Sequence, residues 1–252
     1  MPWTFAHPAA VLPLRRLPGL SFAGLVMGSM SPDFGYYVGQ FDAAGFAHTL
    51  PGLWLVCLPA GLLMLFLARW LKVPVAHLLP RPHRQVLLGV QPQPLGLRSL
   101  GMAAACVLLG AVTHVVWDAF THEGRFFVEH VDALRQPLFT AFNREFRVFN
   151  VVQHVSTVLG CVLLLLAYRR HAAALKLEAA DERRRYAALA GIAAAALVCA
   201  APWAWADAMS AEARLFVSTL LVREVVYATT AFFVILSIAA IWRAHRPAAE
   251  PL

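Results

Sequence analysis

Long apolar stretches alternate with shorter polar segments along most of the chain, and charged residues are rare within the apolar stretches. Each stretch is near or above the roughly 20 residues that an α-helix needs to cross a lipid bilayer. The five stretches cover residues 50–71, 99–120, 149–168, 186–206 and 215–242. This pattern predicts an all-α fold, a polytopic bundle with five transmembrane helices.

Residues 8–30 are apolar as well, yet five residues in the middle break the pattern: Pro13, Arg15, Arg16, Pro18 and Gly19. Because proline removes a backbone donor and interrupts a helix, we predict an interrupted helical hairpin here rather than one clean span. A re-entrant hairpin would place His7 and Asp33, which flank it, on the same side of the membrane. A full span would place them on opposite sides.

Basic residues between the predicted spans indicate how the chain is oriented. Residues 69–98 contain five Lys and Arg residues and no acidic residue, and the connection between the third and fourth spans contains the run Arg183-Arg184-Arg185. Such connections lie in the cytoplasm. We therefore predict one integral membrane domain, with interrupted helices at 1–49, five spans at 50–242 and a cytoplasmic tail at 243–252.

Composition excludes several classes of function. Of the 252 residues, 60% are hydrophobic and 14% are charged, which lies outside the range of ordinary soluble domains. The net charge of +7 comes from residues beside the spans rather than from a basic patch interleaved with aromatics, so we expect membrane lipids and no nucleic acid as partners. The sequence contains no glycine-rich phosphate loop, GxSxG motif or dinucleotide-binding fingerprint.

Six residues of metal-binding type stand out in this apolar chain: His7, Asp33, His48, His114, Asp118 and His122. The last three follow one another at helical spacing i, i+4, i+8 and so share one helix face. With the hairpin, the predicted orientation places all six on the outer side of the membrane. Imidazole and carboxylate ligands suit Zn²⁺, and also Mn²⁺ or Fe²⁺. We predict one or two divalent ions, zinc first, because a carboxylate such as Asp118 can bridge two.

A metal site with these ligands indicates that the protein is a hydrolase. A bound divalent ion activates water and stabilises charge on a carbonyl or phosphoryl oxygen, so we expect an ester or phosphoester of a lipid or envelope component as the substrate. Asp33 or His122, whichever does not bind metal, would serve as general base. In the last span Arg223 would hold an anionic headgroup or phosphate, or else pair with Glu224 or with an Asp.

Two further groups lie near the predicted site. Asn150, Gln153, His154 and Thr157 share a helix face and would either support the ligands or hydrogen-bond other helices, with His154 as a reserve ligand. The segment 123–149 contains Phe126-Phe127-Val128 and the stretch 139–142, so it could lie on the membrane surface and cover the site. The alternative function is non-catalytic: a metal or proton carrier, or a scaffold whose His and Asp residues serve helix packing.

Three motifs carry a family resemblance: residues 1–10, MPWTFAHPAA; residues 28–34, GSMSPDF; and residues 48–52, HTLPG. With these motifs the chain resembles an uncharacterised bacterial integral membrane family of the domain-of-unknown-function kind, which brings no activity with it. More remotely, the order His, Pro-Asp, His, His-x-x-x-Asp is similar to YdjM-type membrane-bound metal-dependent hydrolases and to the zinc-dependent phospholipase C and nuclease fold.

The remoter resemblance implies five metal ligands, His7, Asp33, His48, His114 and Asp118, with His122 as a further one. The zinc phospholipase pattern adds a second His-x-x-x-Glu, whereas here His154 is followed at that spacing by Val158. The resemblance therefore implies one or two ions rather than three.

Overall fold

A computed structural model describes residues 3–90, 96–141, 144–175 and 181–245 of the chain, and it is helical almost throughout. Three predicted features lie partly outside the described residues: the first motif at Met1 and Pro2, the stretch 139–142 at Phe142, and the tail at 246–252. The α-helices are α1 (Phe22–Met30), α2 (Phe34–Tyr37), α3 (Phe41–Ala47), α4 (Leu50–Gly52), α5 (Leu58–Leu78), α6 (Arg81–Gly89), α7 (Leu97–Thr121), α8 (Phe126–His130), α9 (Asp132–Arg135), α10 (Val148–Ala174), α11 (Arg183–Ser210) and α12 (Phe216–Ala244).

Within the described residues, five helical segments are long and apolar enough to cross a membrane, which confirms the predicted count and gives the chain the character of a multi-pass membrane protein. Each of them contains most or all of one predicted stretch and extends beyond it, because the polar ends of a span also continue the helix. The segments are Leu50–Leu78, Leu97–His130, Val148–Ala174, Arg183–Ser210 and Phe216–Ala244.

The interrupted N-terminal hairpin is confirmed. Its first arm is a 3₁₀ helix, Thr4–Arg16, and its second arm is α1. Gly19 adopts a φ of +82° in the turn between them, a conformation that glycine reaches without steric cost. The Thr4 hydroxyl donates a hydrogen bond of 2.6 Å to Asp33 Oδ2, so the two ends of the hairpin meet.

Close backbone contact joins the hairpin to α7 through glycines on both helices. A Cβ on Gly28 would lie 2.0 Å from the Val107 carbonyl oxygen, and one on Gly110 would lie 2.2 Å from the Leu25 carbonyl oxygen. Gly24 and Gly28 form a GxxxG pair, the small-residue spacing that lets membrane helices approach closely. This crossing sets the end of α1 directly against the middle of α7.

The segment between Asp33 and the first span folds back on itself. α3 ends at Ala47, and α4 begins with a cap in which the Thr49 hydroxyl accepts the Gly52 N–H. A π-helical turn, Leu53–Cys57, leads from α4 into α5, and the Cys57 thiol donates to the Ala47 carbonyl. These contacts hold His48, which follows α3, at the entrance to the first span.

The segment after α7 departs from the all-helical prediction. Two strands, β1 (Pro137–Ala141) and β2 (Arg144–Arg147), pair in antiparallel register with a bulge between Pro137 and Phe139, and Phe139 stacks on Phe146. The stretches are four and five residues long and lack strict alternation of apolar and polar residues, so period 2 gives no signal. The hairpin ends at the residue before α10 begins.

The described residues form two compact units. The first comprises Met1–Gly35, Gln40–Phe66 and Gln93–Arg170 and contains all six predicted metal ligands. The second comprises Tyr36–Gly39, Leu67–Pro92 and His171–Leu252. In the second unit α11 and α12 pack along each other, and Arg185 donates to the Leu79 carbonyl at the start of α6.

Candidate metal centre

Five of the six predicted ligands are buried together in the first unit. His7 lies on the 3₁₀ arm, Asp33 ends a second 3₁₀ turn, Ser31–Asp33, and His48 caps α3. His114 and Asp118 lie one turn apart on α7, with their side chains on one face. The exposed fractions of the five residues are between 0% and 6%. Elements far apart in the sequence therefore bring two carboxylates and three imidazoles to one point.

The closest set contains two imidazole nitrogens and two carboxylate oxygens. Nε2 of His48 lies 3.5 Å from Asp33 Oδ1 and 3.3 Å from Asp118 Oδ2. Nε2 of His114 lies 3.6 Å from the same Asp33 oxygen and 3.4 Å from the same Asp118 oxygen. Each nitrogen thus faces both carboxylates at nearly equal distance.

These separations are longer than hydrogen bonds. An N–H···O bond spans about 2.7–3.2 Å between heavy atoms, whereas ligands held about 2.0–2.1 Å from a tetrahedral zinc ion lie about 3.3–3.4 Å from each other. The four measured distances of 3.3–3.6 Å fall near the second value. Asp33, His48 and His114 also form a group in which one ligand atom from each lies within 4.8 Å of the others, and such a group could hold a metal ion.

A second set uses the other oxygen of Asp118. Asp118 Oδ1 lies 3.7 Å from His7 Nε2 and 3.4 Å from His122 Nδ1. His7, His114 and Asp118 form another group of buried residues with the spacing of metal ligands. The imidazole of His7 stacks on that of His114, with ring centroids 3.6 Å apart. Asp118 therefore offers one oxygen to each of two sets of imidazoles.

Several buried polar atoms of these side chains have no hydrogen-bond partner among the described residues. They are both ring nitrogens of His7, Nε2 of His114 and Oδ1 of Asp118. Buried polar atoms are nearly always paired, because each unpaired one costs roughly 1–3 kcal/mol. One such atom from each of the three side chains could therefore serve as a metal ligand, because a single imidazole offers only one of its nitrogens to a given ion.

Contacts outside the cluster orient three of the ligands. His114 Nδ1 donates to the Ser29 carbonyl and His48 Nδ1 to the Ala44 carbonyl, both at 2.7 Å. A carbonyl oxygen accepts and cannot donate, so each Nδ1 carries the proton and each Nε2 faces the carboxylates. The Thr4 hydroxyl occupies Asp33 Oδ2 and leaves Asp33 Oδ1 for the cluster. Such supporting hydrogen bonds are typical of metal-binding imidazoles and carboxylates.

His122 differs from the other five. α7 ends at Thr121, His122 has an extended backbone, and 22% of its side chain is exposed. Its Nδ1 lies 3.0 Å from the Thr121 hydroxyl, and its Nε2 lies 3.4 Å from Gln153 Nε2 on α10. The prediction that His122 lines one helix face with His114 and Asp118 is therefore wrong for His122, because α7 ends at the residue before it. Its side chain nevertheless reaches the cluster, with Nδ1 3.4 Å from Asp118 Oδ1.

Burial shifts the protonation of the ligands that lie outside the spans. Burial, followed by the neighbouring His114, lowers the pKa of His7 to about 3. Burial raises the pKa of Asp33, but the imidazoles of His114 and His48 outweigh it and hold that pKa well below its usual range. Burial lowers the pKa of His48, and the carboxylates of Asp118 and Asp33 outweigh it so that the net shift is upward. Near neutral pH His7 is neutral and Asp33 is ionised, the forms that bind metals.

Other predicted residues divide between the two units. Gln153 is buried and faces His122, whereas the reserve ligand His154 is exposed. The Asn150 side chain caps the Arg147 N–H, and the Thr157 hydroxyl donates to the Gln153 carbonyl, so both serve their own helix. In the second unit Arg223 pairs with Asp207 at 3.1 Å, the internal alternative. Its predicted role in substrate binding stays a prediction.

Sequence reasoning missed three contributors: Thr4, the Ser29 carbonyl and the glycines at the α1–α7 crossing. Thr4 and Ser29 stand inside the two motifs at residues 1–10 and 28–34, so the motifs themselves contained the signal. The GxxxG spacing of Gly24 and Gly28 indicates a close contact with another helix, but the sequence does not indicate which helix is the partner.

Comparison with known proteins identifies a family and no activity. A family model described as "Domain of unknown function (DUF4184)" matches residues 1–241. No curated protein matches the chain, and no solved structure matches it. The first predicted resemblance is confirmed, while the comparisons do not extend to the remoter resemblance to hydrolases.

Proposed function

Since the chain belongs to the DUF4184 family, whose description names no activity, we propose from the site itself that it is a metal-dependent membrane hydrolase. The buried His and Asp side chains of the first unit bind one or two divalent ions, with zinc as the first choice. The substrate is an ester or phosphoester of a lipid or envelope component, at the outer face of a bacterial inner membrane.

The observation that carries this proposal is the spacing of four ligand atoms. His48 and His114 each place Nε2 at 3.3–3.6 Å from one oxygen of Asp33 and one of Asp118. A network built for helix packing would close these gaps to hydrogen-bond length. Two imidazoles and two carboxylates surround one point, and hydrogen bonds from outside the cluster orient His48, His114 and Asp33. This is the arrangement that a zinc or manganese site requires.

Asp118 supports a second ion. Its Oδ2 faces His48 and His114, while its Oδ1 faces His7 and His122. A carboxylate with imidazoles at both oxygens is the arrangement that bridges two ions in hydrolytic sites. The unpartnered nitrogens of His7 favour its use as a ligand in this second position.

The protein residues divide into ligands and a general base. When bound, the metal supplies Lewis acidity and lowers the pKa of water. Asp33 Oδ1 faces both Nε2 atoms, which favours Asp33 as a ligand. His122 is the more exposed imidazole and has Gln153 at Nε2 and Asp118 at Nδ1, so it is placed to accept a proton from an incoming nucleophile.

The position of the site in the helices supports a substrate from the membrane surface. His48 precedes the span Leu50–Leu78, and Gln153 lies near the start of Val148–Ala174. His114 lies roughly 10 Å before the end of α7, at 1.5 Å per residue. The cluster is therefore at the ends of three spans, within reach of a lipid headgroup.

The test combines metal content with hydrolysis on detergent-purified full chain. Mass spectrometry of wild type should find near-stoichiometric zinc or manganese, and His114→Ala and Asp118→Asn should lose it while His154→Ala keeps it. His122→Ala should keep the metal but lose hydrolysis of phosphoester and ester substrates. A wild-type chain without metal after incubation with zinc would overturn the proposal. Metal bound without hydrolysis, together with ion uptake into proteoliposomes, would favour the carrier instead.

A further inference from the structure

A row of aromatic rings begins beside the candidate site and leads away from it. Phe120, on α7, stacks on Phe127 with ring centroids 4.0 Å apart. Phe127 contacts Phe126 edge to face at 5.3 Å, and Phe126 stacks on His130 at 4.4 Å. The row Phe120, Phe127, Phe126 and His130 thus starts two residues before His122 in the sequence and continues along α8.

The outer part of this row faces away from the protein. Phe126 is 64% exposed, whereas Val128 on the same short helix is 1% exposed. α8 is therefore fixed to the unit by Val128 and Phe127 and turns Phe126 outward. The β-hairpin repeats the feature, since Leu138 is 55% and Phe139 is 52% exposed. Large apolar side chains that are exposed in this way indicate contact with an apolar partner.

The partner is identified by the continuity of these segments with the membrane spans. α8 lies at the end of the segment Leu97–His130, and β2 ends at the residue before the segment Val148–Ala174. The Val148 N–H donates to the Gln136 carbonyl, which ties the base of the β-hairpin to the start of α10. The exposed apolar side chains of both segments therefore lie at the ends of helices long and apolar enough to cross a membrane, and the apolar partner that fits them is membrane lipid.

Among the cations of residues 122–148 whose side chains the structure describes, Arg125 has no acidic partner. Arg125 forms no ion pair with any described residue, whereas Arg135 pairs with Asp132 and Arg147 pairs with Glu145. Arg125 lies three residues after His122 and directly precedes Phe126, and its backbone nitrogen lies 3.3 Å from the His122 carbonyl oxygen. A guanidinium at this position is suited to the phosphate of a lipid whose chains lie on the aromatic rings.

We propose that the substrate of the candidate site is a membrane phospholipid, with its phosphate on Arg125 and its chains against the aromatic row. This inference rests on the proposed function, because it names the class of molecule that would reach His122 and the metal ligands. The polar head then enters the cluster from the side of His122, the partly exposed side.

The first test measures lipid binding by native mass spectrometry of the detergent-solubilised full chain with added phosphatidylglycerol. Arg125→Gln should weaken binding about tenfold, the loss of one charge-assisted pair, while the matched control Arg135→Gln binds like wild type. Inorganic phosphate in equal concentration should not compete. Equal binding by both variants, or full competition by phosphate, would overturn the proposal.

The second test measures depth in nanodiscs with a nitroxide label attached to a cysteine. In a chain carrying Cys161→Ala and Cys199→Ala, Phe126→Cys and Asp132→Cys provide the labelled position and its control. The nitroxide at position 126 should collide more often with dissolved oxygen than with a water-soluble nickel complex. The nitroxide at position 132 should collide more often with the nickel complex. A label at 126 that meets mainly the nickel complex would contradict lipid contact.

These readouts need neither metal nor turnover, so the two proposals fail separately. If metal is bound and water-soluble esters are cleaved but Arg125→Gln and the label at 126 behave like the controls, the phospholipid assignment is wrong and the hydrolase stands. If lipid is bound as expected but wild type holds no metal, the hydrolase is wrong and the substrate assignment falls with it.

Discussion

The His and Asp cluster of the first unit and the polar cluster around Asp207 in the second unit differ in how closely their atoms approach. In the second unit Asp207 accepts a 2.6 Å hydrogen bond from Tyr227 and pairs with Arg223 at 3.1 Å. In the first unit the His and Asp atoms remain 3.3–3.7 Å apart, and four buried polar atoms lack partners among the described residues. This difference supports the proposed metal ion at the first cluster, whereas the polar atoms of the second cluster pair with one another.

The largest expected effect separates the two aspartates. Asp118→Asn removes the carboxylate that faces both sets of imidazoles, so bound metal should fall from near-stoichiometric to background. Asp207→Asn weakens a self-contained ion pair and should leave metal content unchanged. Metal analysis of both purified variants checks this, with thermal melting to show that both are folded. Equal loss of metal in both variants would remove the distinction between the clusters.

The next effect concerns the crossing that places α1 against α7. Gly28→Ala would bring a Cβ to 2.0 Å from the Val107 carbonyl oxygen, so the helices must separate. We expect a loss of roughly 1–3 kcal/mol in stability from overpacking, with weaker metal binding because Asp33 follows α1. The control is Gly101→Ala on α7, where nothing lies within 4 Å. Melting in detergent should separate the two, and a Gly28→Ala chain as stable as the control would contradict the crossing.

A smaller effect concerns the hydrogen bond that orients Asp33. Thr4→Val removes the donor to Asp33 Oδ2 while keeping the shape of the side chain. Loss of such a supporting bond should weaken metal affinity about 10–100-fold, and Thr4→Ser should restore it. Titration with zinc and a competing chelator measures this. Thr113→Val, which loses only a bond to the Gly110 carbonyl, should bind metal like wild type.

The smallest expected effect concerns the hydrogen bond between Tyr227 and Asp207 in the second cluster. Tyr227→Phe removes the 2.6 Å hydrogen bond to Asp207 and should cost about 0.5–1.5 kcal/mol of stability, with metal content and hydrolysis unchanged. Melting in detergent and metal analysis of the same sample check it. A change in metal content would show that this cluster belongs to the function and not to packing alone.

Much of the fold follows from the sequence because the signals are strong and local. A run of about 20 apolar residues has one stable form in a bilayer, so the five spans and the proline-interrupted hairpin could be predicted. The β-hairpin at 137–147 could not, because its strands are too short for a period-2 pattern to show.

The sequence predicts which residue types form the candidate site, but it does not predict how these residues are placed relative to one another. His114 and Asp118 share a helix face by spacing alone. That His48 and Asp33 reach the same point depends on the glycine crossing of α1 with α7 and on the turn after α3, which are contacts between distant residues. Gln153 and His154 stand side by side in the sequence, and only the packing of α10 decides that Gln153 faces the site and His154 does not.

X-ray absorption at the metal edge of purified wild-type protein would show directly whether these side chains bind an ion. We expect a bound divalent ion with only nitrogen and oxygen neighbours at about 2.0–2.2 Å, together with the outer-shell scattering of at least two imidazoles. Asp118→Asn should abolish the signal. A protein that binds no ion, or an ion with sulfur neighbours at about 2.3 Å, would contradict the claim that His48, His114, Asp33 and Asp118 form a metal site.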